Sequence, residues 1–332
     1  MRIATYNVEW FNSLFDDHGT LIDNGSWSGR WDVTKAQQTA GLGSVFAAMD
    51  ADAVMIIEAP DTSPRRKTDK ALKHFAGRFG LRAREAVIGF ANDTQQEIAL
   101  LYDPDVVTAS HDPQSDKGAP QFDGQFRMDV DIDAHPDPIV WSKPPLEIAM
   151  TTASGPVRLI GVHAKSKAPH GARNDAEATR ISIQNRRKQL AQCIWLRKRV
   201  AQHFAAGDDL IVMGDFNDGP GLDEYEKLFG RSGVEIVLGE GTEERLFDPH
   251  AQMILGRRFG AAPSTARFKR KGQPYLQALL DYIMVSPGLR EKAPRWQIWH
   301  PFDHPECYAD TALREALLVA SDHFPVVLDI DL

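Results

Sequence analysis

The chain has 332 residues, 42% hydrophobic and 25% charged, an ordinary globular composition with enough apolar mass for a large core. Its net charge of −8 argues against a module that grips nucleic acid through phosphates alone, but suits carboxylates clustered for a divalent metal. No apolar run approaches the roughly 20 residues of a membrane span, so stable membrane insertion is not expected, and Cys193 and Cys307 make neither a CxxC motif nor a disulfide framework.

Met1-Arg2 runs straight into a strand over 2–8, without the apolar stretch of about 7–15 residues that a secretory leader needs. A cytoplasmic location is expected, or a secreted one if a leader has been removed. A polar stretch follows to Trp31. Val45, Phe46 and Met49 fall at helical spacing in 34–49, and Ala53 to Ile57 reads as a buried strand. Leu72, Phe75, Ala76 and Phe79 predict a helix over 68–79, and 98–102 a strand. Residues 110–125 are polar and Gly/Pro-containing, the expected mobile loop. Two strands are expected in 126–150 around Pro136-Asp137-Pro138, then a strand over 157–163 and a basic, turn-like 165–175. The longest helix is read at 176–205, with Cys193 on its core side, and further strands near 210–214, 279–285 and 325–331. Strands alternate with helices but also pair as hairpins, which predicts an α/β arrangement of mixed sheets with helices outside.

Six apolar runs each deliver a polar residue at or near the strand's end: Asn7, Glu58, His163, Asp215 with Asn217, Asp281, and Asp322 with His323. They span the chain from Asn7 to His323, so a shared site needs both ends in one fold; 1–332 is read as a single domain. Asn7, Glu58, Asp215, Asn217, Asp281 and Asp322 are hard oxygen donors, which suit Mg²⁺ or Mn²⁺ better than zinc. Metal, an oriented histidine and a carboxylate base together describe metal-assisted phosphoester hydrolysis.

The set Tyr6-Asn7-Val8, Ile57-Glu58, Val162-His163, Gly214-Asp215-Phe216-Asn217, Asp281-Tyr282-Ile283 and Ser321-Asp322-His323 resembles the endonuclease/exonuclease/phosphatase (deoxyribonuclease I-like) superfamily, in the family's order and over nearly the whole chain. The resemblance implies a four-layer α/β/β/α sandwich with two mixed β-sheets packed face to face. It implies Glu58 as principal metal ligand, completed by Asn7 and Asp322. Asp215 would position or deprotonate the attacking water, Asn217 contact the scissile phosphate, and His323, oriented by Asp281, stabilise the transition state. His163 falls where some members place a second histidine, a candidate general acid. Whether Asp215 or a histidine is the base stays open. Ile57 replaces the familiar Gln before the Glu, and Ala278-Leu279-Leu280 replaces the inositol-polyphosphate signature, which disfavours that branch.

Other residues have plainer readings beside the functional ones. Lys165 and Lys167 either grip phosphate or form a solvated loop, and Arg180 and Arg186 are surface charges unless one reaches the phosphate. Asp218 is expected to cap the following helix, His170 to be exposed, and Trp27, Trp31 and Trp141 to stack on a ligand or anchor core and loops. The leading expectation is a metal-dependent nuclease acting on DNA or RNA. The alternatives are a phosphoesterase for a small or lipid phosphodiester, sphingomyelinase-like, and a catalytically silent binding module.

Overall fold

The computed structural model describes residues 1–128, 137–222, 226–256, 262–270 and 272–332. The strands are β1 (Arg2–Asn7), β2 (Ala53–Ala59), β3 (Glu85–Ile88), β4 (Glu97–Tyr102), β5 (Thr108–His111), β6 (Phe126–Met128), β7 (Asp137–Ile139), β8 (Leu146–Thr152), β9 (Gly155–His163), β10 (Leu210–Asp215), β11 (Ala266–Arg270), β12 (Gln273–Ala278), β13 (Asp281–Val285), β14 (Arg295–Ile298) and β15 (Val326–Asp329). The helices are α1 (Lys35–Met49), α2 (Thr68–Phe79), α3 (Asp175–Ala206), α4 (Glu226–Phe229), α5 (Gly233–Leu238), α6 (Pro249–Gly256), α7 (Pro287–Arg290), α8 (Pro305–Ala309) and α9 (Thr311–Ala320).

One sheet runs β14-β15-β1-β2-β4-β3 and the other β13-β10-β9-β8-β5. Each is antiparallel apart from one parallel pair, β1 with β2 and β9 with β10. The inner faces meet in a core that includes Ile3, Met55, Ile98, Leu159, Met213 and Ile283. A second core lies under α1, α2 and α9, and a third under α3, α5 and α6. Because strands buried on both faces read as continuous apolar runs, the sequence located them well. The expected four-layer α/β/β/α sandwich is therefore what the chain forms.

Differences from expectation have local causes. Residues 110–125 begin in β5, and the rest is pinned rather than loose: Phe122 is fully buried against Trp141 and Trp195, and Trp195 Nε1 donates to the carbonyl of Pro120 at 3.0 Å. In 126–150, Pro138 pairs within β7 rather than turning, and three strands, β6, β7 and β8, fall there; residues 129–136 lie outside the described residues. Among the described residues, no helix is long and apolar enough to cross a membrane.

Candidate active site

Sheet register gathers the polar strand ends. Asp215 on β10 pairs with His163 of β9 on one side and Asp281 of β13 on the other, so three predicted residues stand in one row across the second sheet. Asn7 ends β1 on the facing sheet, and its Nδ2 crosses to Asp215 Oδ2 at 3.0 Å. The turn before β15 closes the group. The Ser321 hydroxyl donates to the Asn7 carbonyl at 2.7 Å and accepts the backbone N–H groups of Glu9 at 3.2 Å and His323 at 3.1 Å.

Backbone geometry aims the side chains. The β2–β4 pairing slips by one residue between Ile57 and Ala59, so Glu58 sits on a bulge, at φ 64°. A bulge re-aims the side chain it carries. Glu58 Oε2 accepts the N–H of Trp10, also left-handed at φ 55°, at 3.1 Å. Asn217 is held at φ 49°, and such non-glycine strain clusters at functional sites. Gly214, at φ 132°, is required for space too: a Cβ there would lie 2.1 Å from the Val162 carbonyl oxygen.

Electrostatics divide the two histidines. His323 Nδ1 lies 2.7 Å from Asp281 Oδ2. Burial opposes its charge, but Asp281, Asp215 and Asp322 outweigh it and raise the His323 pKa well above the ordinary value. Burial, then the charges of Lys143 and His323, push His163 well below its ordinary value. One imidazole is thus held charged and the other neutral, the pattern that separates acid from base assignments. Burial raises Asp215 to about 7; the His323 charge opposes this and Asp281 adds to it. Its oxygens accept from Asn217 N at 2.7 Å, Asn217 Nδ2 at 3.1 Å and Asn7 Nδ2. Burial also raises Glu58, opposed by Lys143.

Asp215, Asp281 and His323 offer ligand atoms within 4.8 Å of one another, a buried group suited to a metal. Much of its capacity is already spent, however, on the Asp281–His323 pair and on the donors to Asp215. The unspent hard oxygens lie beside it: Asn7 Oδ1 is buried without a partner, and the Glu58 carboxylate, close enough to feel Asp322, takes the Trp10 N–H. That donor chemistry fits a hard divalent cation.

The structure thus brings Asn7, Glu58, His163, Asp215, Asn217, Asp281, Asp322 and His323 together. Lys165 lines the same region, its charge lowering the Lys143 pKa, while its N–H donates to Gln192 Oε1 at 2.9 Å. Lys167 Nζ instead pairs with Asp218 at 2.7 Å. Arg180 stays on the outer face of α3, exposed beside Glu177 and Gln184. Two plainer expectations fail. Arg186 is fully buried and pairs with Asp218 at 2.5 Å, and Asp218 accepts the N–H of Gly233, at the start of α5, at 2.6 Å rather than capping the next helix. Of the tryptophans, Trp141 is buried, and Trp27 and Trp31 are exposed.

Three residues went unread in the sequence. Glu9 is raised to about 7 by burial and then by Asp322, against Arg30, which it hydrogen-bonds. Its signal was a carboxylate two positions past Asn7, one strand repeat on. Lys143 Nζ lies 3.1 Å from His163 Nε2. Leu146, the first residue of β8, pairs with Gly161, two residues short of His163 at the end of β9, so the segment leading into β8 passes beside His163; Lys143 precedes its apolar run instead of following it. Gln189, buried on α3, donates to the carbonyls of Lys165, Phe216 and Asn217 at 2.9, 3.2 and 2.9 Å.

No curated protein matches the chain. Among solved structures, a 3′ phosphatase, NExo, from Neisseria bound to product DNA hairpin is 16% identical with TM-score 0.51, covering 100% of both chains. TDP2 from Caenorhabditis elegans is 12% identical with TM-score 0.52, over 100% of this chain and 74% of that one. At these identities the likeness is one of fold. A family model covers residues 4–323, and on that match the chain belongs to the Endonuclease/Exonuclease/phosphatase family.

Proposed function

We propose that this protein is a divalent-metal-dependent phosphodiesterase that cleaves nucleic acid by direct attack of water on phosphorus. The observation that carries the reading is the row His163–Asp215–Asp281, in which the His163 imidazole is held neutral, with the His323 imidazole beside it held charged. Its use of residues from Asn7 to His323 supports 1–332 as one catalytic domain.

Asp215 accepts a proton from the attacking water, in an orientation fixed by Asn7 and Asn217. Asn217 spends its amide protons on Ala164 and Asp215, so in this arrangement it positions the base as much as the phosphate. The His323 imidazolium, held by Asp281, neutralises charge building on the phosphoryl oxygens, an effect that preorganised donors deliver without reorganisation. His163 Nε2 is the ring nitrogen that faces the reaction centre, 3.1 Å from Lys143 Nζ and 3.7 Å from Asp215 Oδ2; from there the neutral imidazole exchanges a proton with a phosphate or leaving-group oxygen and holds the Lys143 side chain at the centre. Glu58, Asn7 and Asp322 would hold Mg²⁺ or Mn²⁺, which supplies Lewis-acid neutralisation of the phosphate.

A specific observation favours a second reading, a small or lipid phosphodiester as substrate. With Lys167 on Asp218 and Arg180 outside the cluster, Lys165 is what remains there of the expected phosphate-binding cations, joined among the described residues by Lys143 and the His323 imidazolium. A silent binding module is disfavoured because every catalytic position is filled. The test is turnover with Mg²⁺ or Mn²⁺, with and without EDTA, on single-stranded DNA, duplex DNA, RNA, bis-p-nitrophenyl phosphate and sphingomyelin. Metal-dependent cleavage of a nucleic acid, lost in Asp215→Asn, is expected. Turnover of only the small or lipid esters would replace the nuclease reading with the second one.

A further inference from the structure

Beside the metal-side carboxylates opens a cavity of about 440 Å³, within the range of roughly 300–1,000 Å³ seen for small-ligand sites. Its walls are the loop carrying Trp31, the β11–β12 ribbon and the turn at Ser321-Asp322. Trp31 is 77% exposed and Tyr275 44%. Large aromatic rings left in water around one cavity mark an interaction surface. Each carries a cation: Arg267 lies 3.5 Å from the centroid of Tyr275, and Lys269 Nζ 5.6 Å from that of Trp31. The loop that presents Trp31 holds Asp32 at φ 60°, a conformation uncommon outside glycine.

Both signs of charge line this cavity. Among its lining carboxylates, Glu9 is paired with Arg30, Asp322 lies in the turn beside the reaction centre and Asp32 follows Trp31; Arg267 and Lys269 on the ribbon stand over the Tyr275 and Trp31 rings. A flat neutral group meets the π faces of Trp31 and Tyr275, and an anion attached to that group meets Arg267 and Lys269. The ribbon is also tied to the reaction centre. Arg267 N donates to the Asp322 carbonyl at 2.7 Å, Phe324 N to the Thr265 carbonyl at 2.6 Å, and Thr265 Oγ1 accepts the N–H groups of Leu280 and Asp281 at 3.0 Å each. The Phe268 ring meets the His323 imidazole edge-on at 5.6 Å.

We propose that this cavity is a nucleobase subsite: a base next to the scissile phosphate stacks against Trp31 and Tyr275, and Arg267 and Lys269 take a phosphate of the same strand. The subsite deepens the nuclease reading and rests on it for its substrate. It supplies the sequence-tolerant stacking and phosphate contacts that the reaction centre lacks.

Two measurements test it. In the first, oligonucleotides of equal length, one with normal bases and one with base-free tetrahydrofuran residues, are compared by kcat/KM with Mg²⁺. The wild type favours the base-bearing strand by about tenfold or more, the scale of one stacking contact. Trp31→Ala with Tyr275→Ala brings the ratio close to one, and Arg267→Gln raises KM for the base-bearing strand. In the second, tryptophan fluorescence follows titration with adenosine 5′-monophosphate or ribose 5-phosphate. Quenching by the nucleotide alone, lost in Trp31→Ala, is expected. Hydrolysis of both strands with equal kcat/KM by the wild type, or a ratio that survives the double substitution, overturns the subsite and leaves the nuclease reading standing. Nucleotide binding through Trp31 without hydrolysis of either strand retains the subsite and overturns the nuclease reading.

Discussion

His323 Nδ1 and Asp281 Oδ2 meet at 2.7 Å, both side chains almost fully buried, and this contact sets the charge of the site. Burial alone would strip the proton from His323; the Asp281 carboxylate is the largest influence that keeps it there. Asp281→Asn should therefore lower the His323 pKa toward and below the ordinary imidazole value. It should reduce kcat by about 10²–10³, the usual cost of one preorganised donor. NMR titration of His323 alongside steady-state kinetics checks both. A His323 that stays protonated above its ordinary pKa in the variant would contradict the assignment.

Lys143 works on the other histidine. Its ammonium, 3.1 Å from Nε2, is the second influence after burial that depresses the His163 pKa, and it opposes the rise of Glu58. Lys143→Met should raise the pKa of His163 and raise that of Glu58 further, since each loses a neighbouring cation. If the ammonium also contacts the phosphate, kcat/KM should fall roughly 10- to 150-fold, the range for a hydrogen bond to a charged group. An unshifted His163 in the titration would remove Lys143 from the site's electrostatics.

The parts that were legible in the sequence share a cause. Strands buried on both faces leave continuous apolar runs, and the residues that follow them, Asn7, Glu58, His163 and Asp215, are the ones the sheets bring together. What stayed hidden depends on partners distant in sequence. Arg186 reads as surface charge because nothing near it reveals that Asp218 waits in the interior. Lys143 precedes its strand, and its value comes only from antiparallel pairing with β9. The β11–β12 ribbon is largely exposed and lacks clean alternation of buried and exposed residues, so its strands carried no periodic signal. The inward polar face of α3, with Asn185, Gln189 and Gln192, contradicts the rule that polar residues of an amphipathic helix face water.

Gln189 shows what that face does. Its amide donates to three carbonyls on two loops, those of Lys165 and of Phe216 and Asn217, and its Oε1 accepts from Arg186 Nη1 at 3.2 Å. It braces the left-handed Asn217 that in turn orients Asp215. Gln189→Leu leaves buried carbonyls unpaired and should destabilise the fold by about 2–3 kcal/mol. Because Asn217 loses its brace, kcat should also fall while the pH profile of the remaining activity changes. Urea denaturation and kinetics on the folded variant separate the two effects. Full kcat with an unchanged profile would reduce Gln189 to a purely structural residue.

Glu97 offers a pH dependence away from the reaction centre. It faces Ala59 across the bulge that presents Glu58, and it accepts from Asn92 Nδ2 at 2.7 Å and from the N–H groups of Asn92 at 3.3 Å and Thr62 at 3.4 Å. Burial outweighs these bonds and raises its pKa from an ordinary 4.5 to about 7. The folded-state value lies above the unfolded one, so the unfolded chain ionises first as pH rises. Stability from this group is complete below pH 4.5 and is lost as pH climbs to about 7, at roughly 1.4 kcal/mol per unit and about 3 kcal/mol in all. Glu97→Gln removes the titration while keeping an oxygen acceptor for the backbone donors. Denaturant unfolding at pH 5 and pH 8 should show the wild type losing about 2.5 kcal/mol more stability between the two than the variant does. Equal losses in both proteins would mean that Glu97 is ionised in the folded state throughout, with its hydrogen bonds outweighing its burial.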